Sequence, residues 1–175
     1  LVLDLDPGEA VPWPRVVKAA RAVRRALASL DLESFVKTTG GKGLHVVVPL
    51  RPHAEWSACL AFARAFAQAI ERTAPEAYTT DFAKRGRANK ILIDYLRNNR
   101  TNTSVAAFST RAKPHAPVSV TLTWRELTAS LDPASFTVST VPKRLARLET
   151  DPWADYWASS QRLTKQLLRA VQAEP

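Results

Sequence analysis

Leu1-Val2-Leu3-Asp4-Leu5-Asp6-Pro7-Gly8 restricts the possible folds more than any other stretch of the chain. Apolar residues at 1, 3 and 5 alternate with polar ones at 4 and 6, the two-residue period of a strand with one buried face. Asp4 and Asp6 therefore share a face, opposite the leucines. Two carboxylates held that close repel each other unless a cation lies between them, and hard divalent ions such as Mg2+ or Mn2+ prefer oxygen ligands. Pro7-Gly8 ends the strand at once, leaving the acidic pair at its C-terminal end, where ligands of open α/β sheets bind. The plain alternative is a solvated strand face, though such faces more often carry Lys, Thr or Glu than a tight aspartate pair.

The rest of the chain alternates helical and strand patterns. Trp13 to Leu30 has apolar residues at 16, 17, 20, 23, 27 and 30, a helical period, with Pro14 in the tolerant first turn. Ser34–Thr38 and Leu44–Leu50 read as strands, and the loop Thr39-Gly40-Gly41-Lys42-Gly43 between them suits a hairpin. Trp56 to Thr73 is an Ala-rich helix stopped by Pro75, with Cys59 packed among Ala and Leu. Residues 91–96 form a strand that delivers Asp94 at its end, before the polar turn Arg97-Asn98-Asn99-Arg100. Short strands are expected at Val105–Phe108 and Val118–Leu122, and Thr123 with Glu126 reads as the capping box of a new helix. The tail from 140 to 172 reads as helix broken at Asp151-Pro152, with Trp153, Tyr156 and Trp157 as a packing face.

Charge narrows the partners. The net charge of +9 and pI near 10.2 predict a polyanion, nucleic acid or nucleotide phosphate, and no apolar run approaches the length of a membrane span. Residues 81–113 carry eight Lys or Arg against two Asp, so the basic balance is concentrated beside Asp94. A single cysteine cannot form an internal disulfide, which fits a reducing cytoplasm. The 175 residues suit one domain, and a chain that opens inside a strand with no Met reads as a piece of something longer.

Asp4, Asp6 and Asp94 on two strand ends are candidates for a two-metal site, in which one ion activates an attacking oxygen and the other stabilises the leaving group. That chemistry serves phosphoryl transfer. The glycine loop suits the phosphates: Gly40, Gly41 and Gly43 let backbone N–H groups approach, Lys42 adds a point charge, and Thr39 a hydroxyl. It lacks the spacing of a P-loop, and taken alone it is equally a plain hairpin turn. His45 begins the next strand, either packed and hydrogen-bonded or, beside Lys42, a donor to a triphosphate.

Asp4-Leu5-Asp6-Pro7-Gly8, Thr38-Thr39-Gly40-Gly41-Lys42-Gly43-Leu44-His45-Val46, Lys90-Ile91-Leu92-Ile93-Asp94-Tyr95-Leu96-Arg97-Asn98 and Ala107-Phe108-Ser109-Thr110-Arg111-Ala112 together resemble the polymerase domain of bacterial DNA ligase D. That domain belongs to the archaeo-eukaryotic primase superfamily and acts in non-homologous end joining. Order and spacing agree across essentially the whole chain. The resemblance implies a mixed α/β fold whose sheet, like that of an RNA-recognition motif, carries the three aspartates on one face between flanking helices. It makes residues 1–175 the carboxy-terminal catalytic part of such a domain, since family members carry roughly a further hundred residues before the Asp-x-Asp strand.

Carried over residue by residue, it implies that Asp4, Asp6 and Asp94 bind catalytic Mn2+ or Mg2+. Thr39, Gly41, Lys42, Gly43, His45, Arg97 and Arg111 would face the incoming nucleotide, and Arg87, Lys90 and Arg100 the nucleic acid. The family usually has Ser at the position of Thr39. The implied reaction is attack of a primer 3′-hydroxyl on the α-phosphate of a nucleoside triphosphate, with pyrophosphate leaving. The implied partners are DNA primer-template or broken ends, nucleoside triphosphates, end-joining proteins such as Ku and a ligase domain, with no membrane, in the cytoplasm at the nucleoid.

Two other classes compete. Asp-x-Asp also opens the haloacid-dehalogenase-like phosphatases, where the first aspartate is a nucleophile, but those continue with Gly-Thr or Gly-Val and add a late acidic pair, whereas Pro7-Gly8-Glu9 follows here and Asp94 stands alone. A basic module that only binds nucleic acid would need no chemistry, yet three clustered aspartates repel a phosphate backbone unless they hold metal.

Overall fold

A computed structural model describes residues 1–172. The Asp-x-Asp strand, β1 (Val2–Pro7), is the third of six in a mixed sheet. Its antiparallel neighbours are β3 (Leu44–Val47) and β5 (Ile91–Asp94). Beyond β3 lie β2 (Phe35–Thr38) and the short edge strand β6 (Thr121–Leu122), while β4 (Tyr78–Thr79) pairs in parallel with β5 at the other edge. The architecture is the mixed α/β sheet expected from the sequence; the two-residue β4 was too short to be read there.

Register sorts the two faces. Leu3 and Leu5 align across the sheet with Val46, Leu44 and Ile93, and this side packs on α1 (Trp13–Ala28) and α2 (Trp56–Thr73) through Val16, Ala20, Val23, Leu27, Phe62, Phe66 and Ile70. Both helices therefore lie on the leucine side, leaving the aspartate side of β1 to be covered by loops. Cys59 packs at the margin of this core with its thiol pKa raised by burial, in keeping with a packing role.

Asn98 extends the sheet where the chain has already left it. After β5 the backbone turns through a 3-10 helix (Leu96–Asn98), and the Asn98 side chain pairs with Val2 as a strand residue would: Oδ1 accepts from the Val2 N–H and Nδ2 donates to the Val2 carbonyl, each at 2.7 Å. The turn bearing Arg97 is thereby fixed to β1.

Five sequence expectations are corrected. Val105–Phe108 is a turn, not a strand: Phe108 has a φ of 63°, and the segment after it meets its partner through the isolated Thr110–Val118 bridge rather than a continuous ladder. The strand expected over 118–122 shortens to β6, because the Val120 N–H donates to the Thr38 hydroxyl rather than to a backbone carbonyl. The capping box forms, with the Thr123 N–H on Glu126 Oε2 at 2.7 Å, but no helix follows; Arg21 takes the Trp124 and Leu127 carbonyls, and Trp13 Nε1 that of Thr128. The helical tail reduces to α3 (Val141–Leu145) and α4 (Lys165–Gln172). Between them the chain is held on the sheet by side chains that bond its backbone: Trp153 Nε1 to the Val36 carbonyl, and Gln161 Nε2 to those of Glu33 and Pro49. Of the expected aromatic face, Trp153 and Tyr156 pack edge-on against Phe35, while Trp157 is 89% exposed.

Gly43 is where the hairpin loop returns to β1, and a Cβ there would lie 2.5 Å from the Leu5 carbonyl oxygen. Gly43→Ala is expected to destabilise the chain by about 1–3 kcal/mol in urea unfolding. Gly41→Ala, whose Cβ meets nothing closer than 3.4 Å, leaves the midpoint nearly unchanged. Equal effects of the two would contradict this packing.

Candidate functional site

One pleat of the aspartate face lines up polar side chains across the sheet. Asp94 on β5 is opposite Asp4 on β1, Asp4 opposite His45 on β3, His45 opposite Lys37 on β2, and Lys37 opposite Thr121 on β6. Asp6, two residues on from Asp4, stands opposite Leu92 and is half exposed.

Guanidinium groups hold the carboxylates. Arg97 bridges two of them, with Nη2 2.9 Å from Asp94 Oδ2 and Nε 3.3 Å from Asp4 Oδ2, while Arg87 Nη2 lies 2.8 Å from Asp6 Oδ2. His45 is buried, with Nε2 3.4 Å from Asp4 Oδ2 and Nδ1 3.4 Å from Ser104 Oγ. Among the described residues no three His, Cys, Asp or Glu side chains already converge as a cation cage. In the free chain the charge of the three carboxylates is compensated by Arg87 and Arg97.

Burial raises the Asp94 carboxyl pKa above its ordinary value; the Leu96 N–H and Arg97 pull it down, and Asp4 and Asp6 push it further up. Lys37 is 4% exposed, and burial pushes its ammonium down to about 8, with Asp4 opposing and Arg111 reinforcing the shift.

Above the row lies an open cleft of about 500 Å³. Asp4, Asp6, His45, Asp94 and Arg97 line its sheet side, the glycine loop through Thr39, Gly41, Lys42 and Gly43 forms a second wall, and residues 103–105 with Arg111 and Lys113 close a third. The two loops interlock. Arg111 Nη1 donates to the Thr39 carbonyl at 3.0 Å, and Gly40, at a φ of 67°, leaves room for the Arg111 side chain where a Cβ would come within 2.7 Å of Cγ. The Thr39 hydroxyl donates to the Gly43 carbonyl at 3.2 Å, so it braces the loop.

Ten of the residues singled out in the sequence thus border one cleft: the three aspartates, the four of the glycine loop, His45, Arg97 and Arg111. The three assigned to nucleic acid do not line it. Arg87 is turned onto Asp6, Lys90 is half-buried beside the end of β1 with its carbonyl accepting from the Gly8 N–H, and Arg100 is exposed beyond the 3-10 turn. Sequence reasoning missed Lys37, Ser104, Lys113 and Asn98. Lys37 carried a usable signal, a lysine directly after the apolar pair Phe35-Val36 within a short strand; Ser104 and Lys113 sit in irregular loops that no period marks.

With this geometry in view, comparison with known proteins is decisive. The family model for the primase-polymerase domain of LigD matches residues 1–153. The chain belongs to that family. It is 40% identical over 171 residues to the multifunctional non-homologous end joining protein LigD of Pseudomonas aeruginosa, covering 97% of this chain and 20% of that protein. It is 32% identical over 162 residues to the bifunctional LigD of Bacillus subtilis, covering 92% and 26%. Among solved structures, the polymerase domain of Mycobacterium tuberculosis Ligase D in complex with DNA superposes with a TM-score of 0.83 at 34% identity, over 92% of this chain and 55% of that one. The chain spans about a fifth to a quarter of the curated relatives' length. Membership of this family displaces the phosphatase reading, and among the described residues no helix is long and apolar enough to cross a membrane.

Asp94 gives a stability prediction. With its pKa raised on folding, the folded chain binds this proton to higher pH than the unfolded chain does, so stability falls as pH rises through the ordinary carboxylate range, and at neutral pH the charged group is a net cost. Asp94→Asn is expected to raise the thermal midpoint at pH 7, with the gain shrinking below about pH 4, where both states are protonated. A lower midpoint at pH 7 would contradict this.

Proposed function

We propose that the chain is the carboxy-terminal catalytic part of a primase-type polymerase domain. It transfers a nucleotide from a nucleoside triphosphate to a primer 3′-hydroxyl during end-joining repair of DNA, releasing pyrophosphate. The observation that carries this is the meeting, in one cleft, of carboxylates on the sheet with Lys42, Arg111 and Lys113 on two loops. One set suits cations and the other polyphosphate. Family membership supports the reaction class, and the DNA bound to the tuberculosis domain supports DNA as partner.

The donor set suits Mg2+ or Mn2+: three carboxylates, all oxygen, on one face with no thiol among them. Asp4, Asp6 and Asp94 would hold the ions. When bound, such ions neutralise phosphate oxygens and make the attacking hydroxyl more acidic. The protein's own groups do the rest. Lys42, Arg111 and Lys113 draw the triphosphate tail against the glycine loop, whose backbone can approach closely. Arg97 bridges Asp4 and Asp94 in the free chain and, once released, offers its guanidinium to a phosphate. Arg87 would likewise be freed from Asp6 toward the DNA backbone, joined by the exposed Arg100 and by Lys90. For the longer protein, Ku and a ligase domain are the partners this reading implies, at the nucleoid.

Single-nucleotide extension of a primer-template with Mn2+ and a ribonucleoside triphosphate tests it. The parent should extend, and Asp94→Asn should lose on the order of a hundredfold or more in rate while retaining DNA. Equal extension by both would remove Asp94 from the chemistry. DNA binding without extension, in this chain and in a longer protein containing it, would favour the non-catalytic binding module.

A further inference from the structure

Lys37 and Ser119 meet at a junction beneath the cleft. Lys37 lies just before the glycine loop, on the face that carries Asp4 and His45, and its Nζ donates to Ser119 Oγ at 2.9 Å. Ser119 Oγ donates in turn to the Thr38 carbonyl at 2.6 Å. Thr38 is tied to the same segment twice more, its N–H to the Val120 carbonyl at 2.9 Å and its hydroxyl accepting from the Val120 N–H at 2.8 Å. Ser119 is completely buried and gives both backbone groups to the opposite loop: its carbonyl accepts from the Phe108 N–H at 2.7 Å and its N–H donates to the Ser109 carbonyl at 3.0 Å. Two residues further along that loop is Arg111. Ser119 thus has the glycine loop on its side chain and the Arg111 loop on its backbone.

A neutral side chain would have been cheaper at position 37. Burying an ammonium is costly unless it is well paired, and among the described residues the ion pairs do not include Lys37. Asp4 and His45 face it from β1 and β3, Thr121 from β6, and Arg111 repels it from the loop above. A polyphosphate between Lys42 and Arg111 would relieve that repulsion, so the buried charge favours an occupied cleft over an empty one.

We propose that Lys37 and Ser119 are a positioning pair that sets the spacing between the glycine loop and the Arg111 loop and adds fixed positive charge beneath the triphosphate. Neither group lines the cleft; they act through the loops they join. The inference rests on the nucleotide-binding reading above.

The test is a double-mutant cycle on the full chain, with Lys37→Met, Ser119→Ala and the two combined. Affinity for a fluorescent non-hydrolysable ATP with Mn2+ is measured beside extension kinetics. Each single change is expected to weaken triphosphate binding on the order of tenfold, and the double no more than the worse single, because both remove one link. Extension should show a raised KM for nucleotide with kcat within about twofold, and DNA affinity should be unchanged. A merely structural role would instead lower the melting midpoint and leave the KM of the folded fraction alone. Parental affinity in both singles, or losses that add in the double, would overturn the pair. If Lys37→Met does not fold by circular dichroism, Ser119→Ala, which removes one hydroxyl, decides alone. A parent chain that binds no triphosphate would refute the nucleotide-binding reading and the inference with it, whereas a parent that binds beside unaffected variants refutes the inference only.

Discussion

Asp94 and Asp4 face each other across neighbouring strands, and the rest of the site is arranged around the repulsion between them. Strand register puts them there and cannot be relaxed, because a one-residue slip of β1 would bring its aspartates to the helix side and expose Leu3 and Leu5. The Arg97 guanidinium between the two carboxylates offsets that repulsion. Arg97 is itself held by the strand-like pairing of Asn98 with Val2, so the counterion is placed by the same sheet that creates the need for it. A buried, cation-bridged carboxylate pair is an unstable thing to build unless it has work to do, and the raised pKa of Asp94 is the local sign of that cost.

The walls of the cleft follow a second logic. The glycine loop and the Arg111 loop are far apart in sequence and come from irregular segments, yet they are bonded to each other through Thr39, Arg111, Thr38 and Ser119. Their basic groups, Lys42, Arg111 and Lys113, line the same cleft as the carboxylate row. Positive loops over a negative floor would simply neutralise one another; in the free chain the arginines do so in part. On the proposed reading, a triphosphate with divalent cations would satisfy both layers at once, the basic loops suiting its phosphates and the aspartates its cations.

Much of this was legible in the sequence because periodicity carries it. β1, α1, β2, β3, α2 and β5 follow from alternation or helical spacing, and the three aspartates fall at strand positions that the period orients. The glycine loop was recognisable by composition and by its resemblance to a known domain. What escaped depends on contacts without a period. Phe108 reads as strand by its residue type but lies in a left-handed turn, and the capping box at Thr123 starts nothing because side chains of α1 take the carbonyls that a helix would need. Trp157 looks like its packed neighbours and is exposed. Lys37 shows no local sign of its partner, since Ser119 is 82 residues away. That Arg97 and Arg87 sit on the aspartates could not be read either, because ion pairing across strands needs the register first.

The central claim is that the carboxylates exchange their arginines for divalent cations when a triphosphate arrives. Electron paramagnetic resonance of free Mn2+ tests it most directly, with parent chain and Asp4→Asn titrated with and without a non-hydrolysable triphosphate. The parent is expected to take up more Mn2+ per chain with the triphosphate than without it, and Asp4→Asn to lose that increment. Equal uptake by the two chains at the same nucleotide concentration would contradict the exchange and leave the arginine pairs as permanent structural bonds.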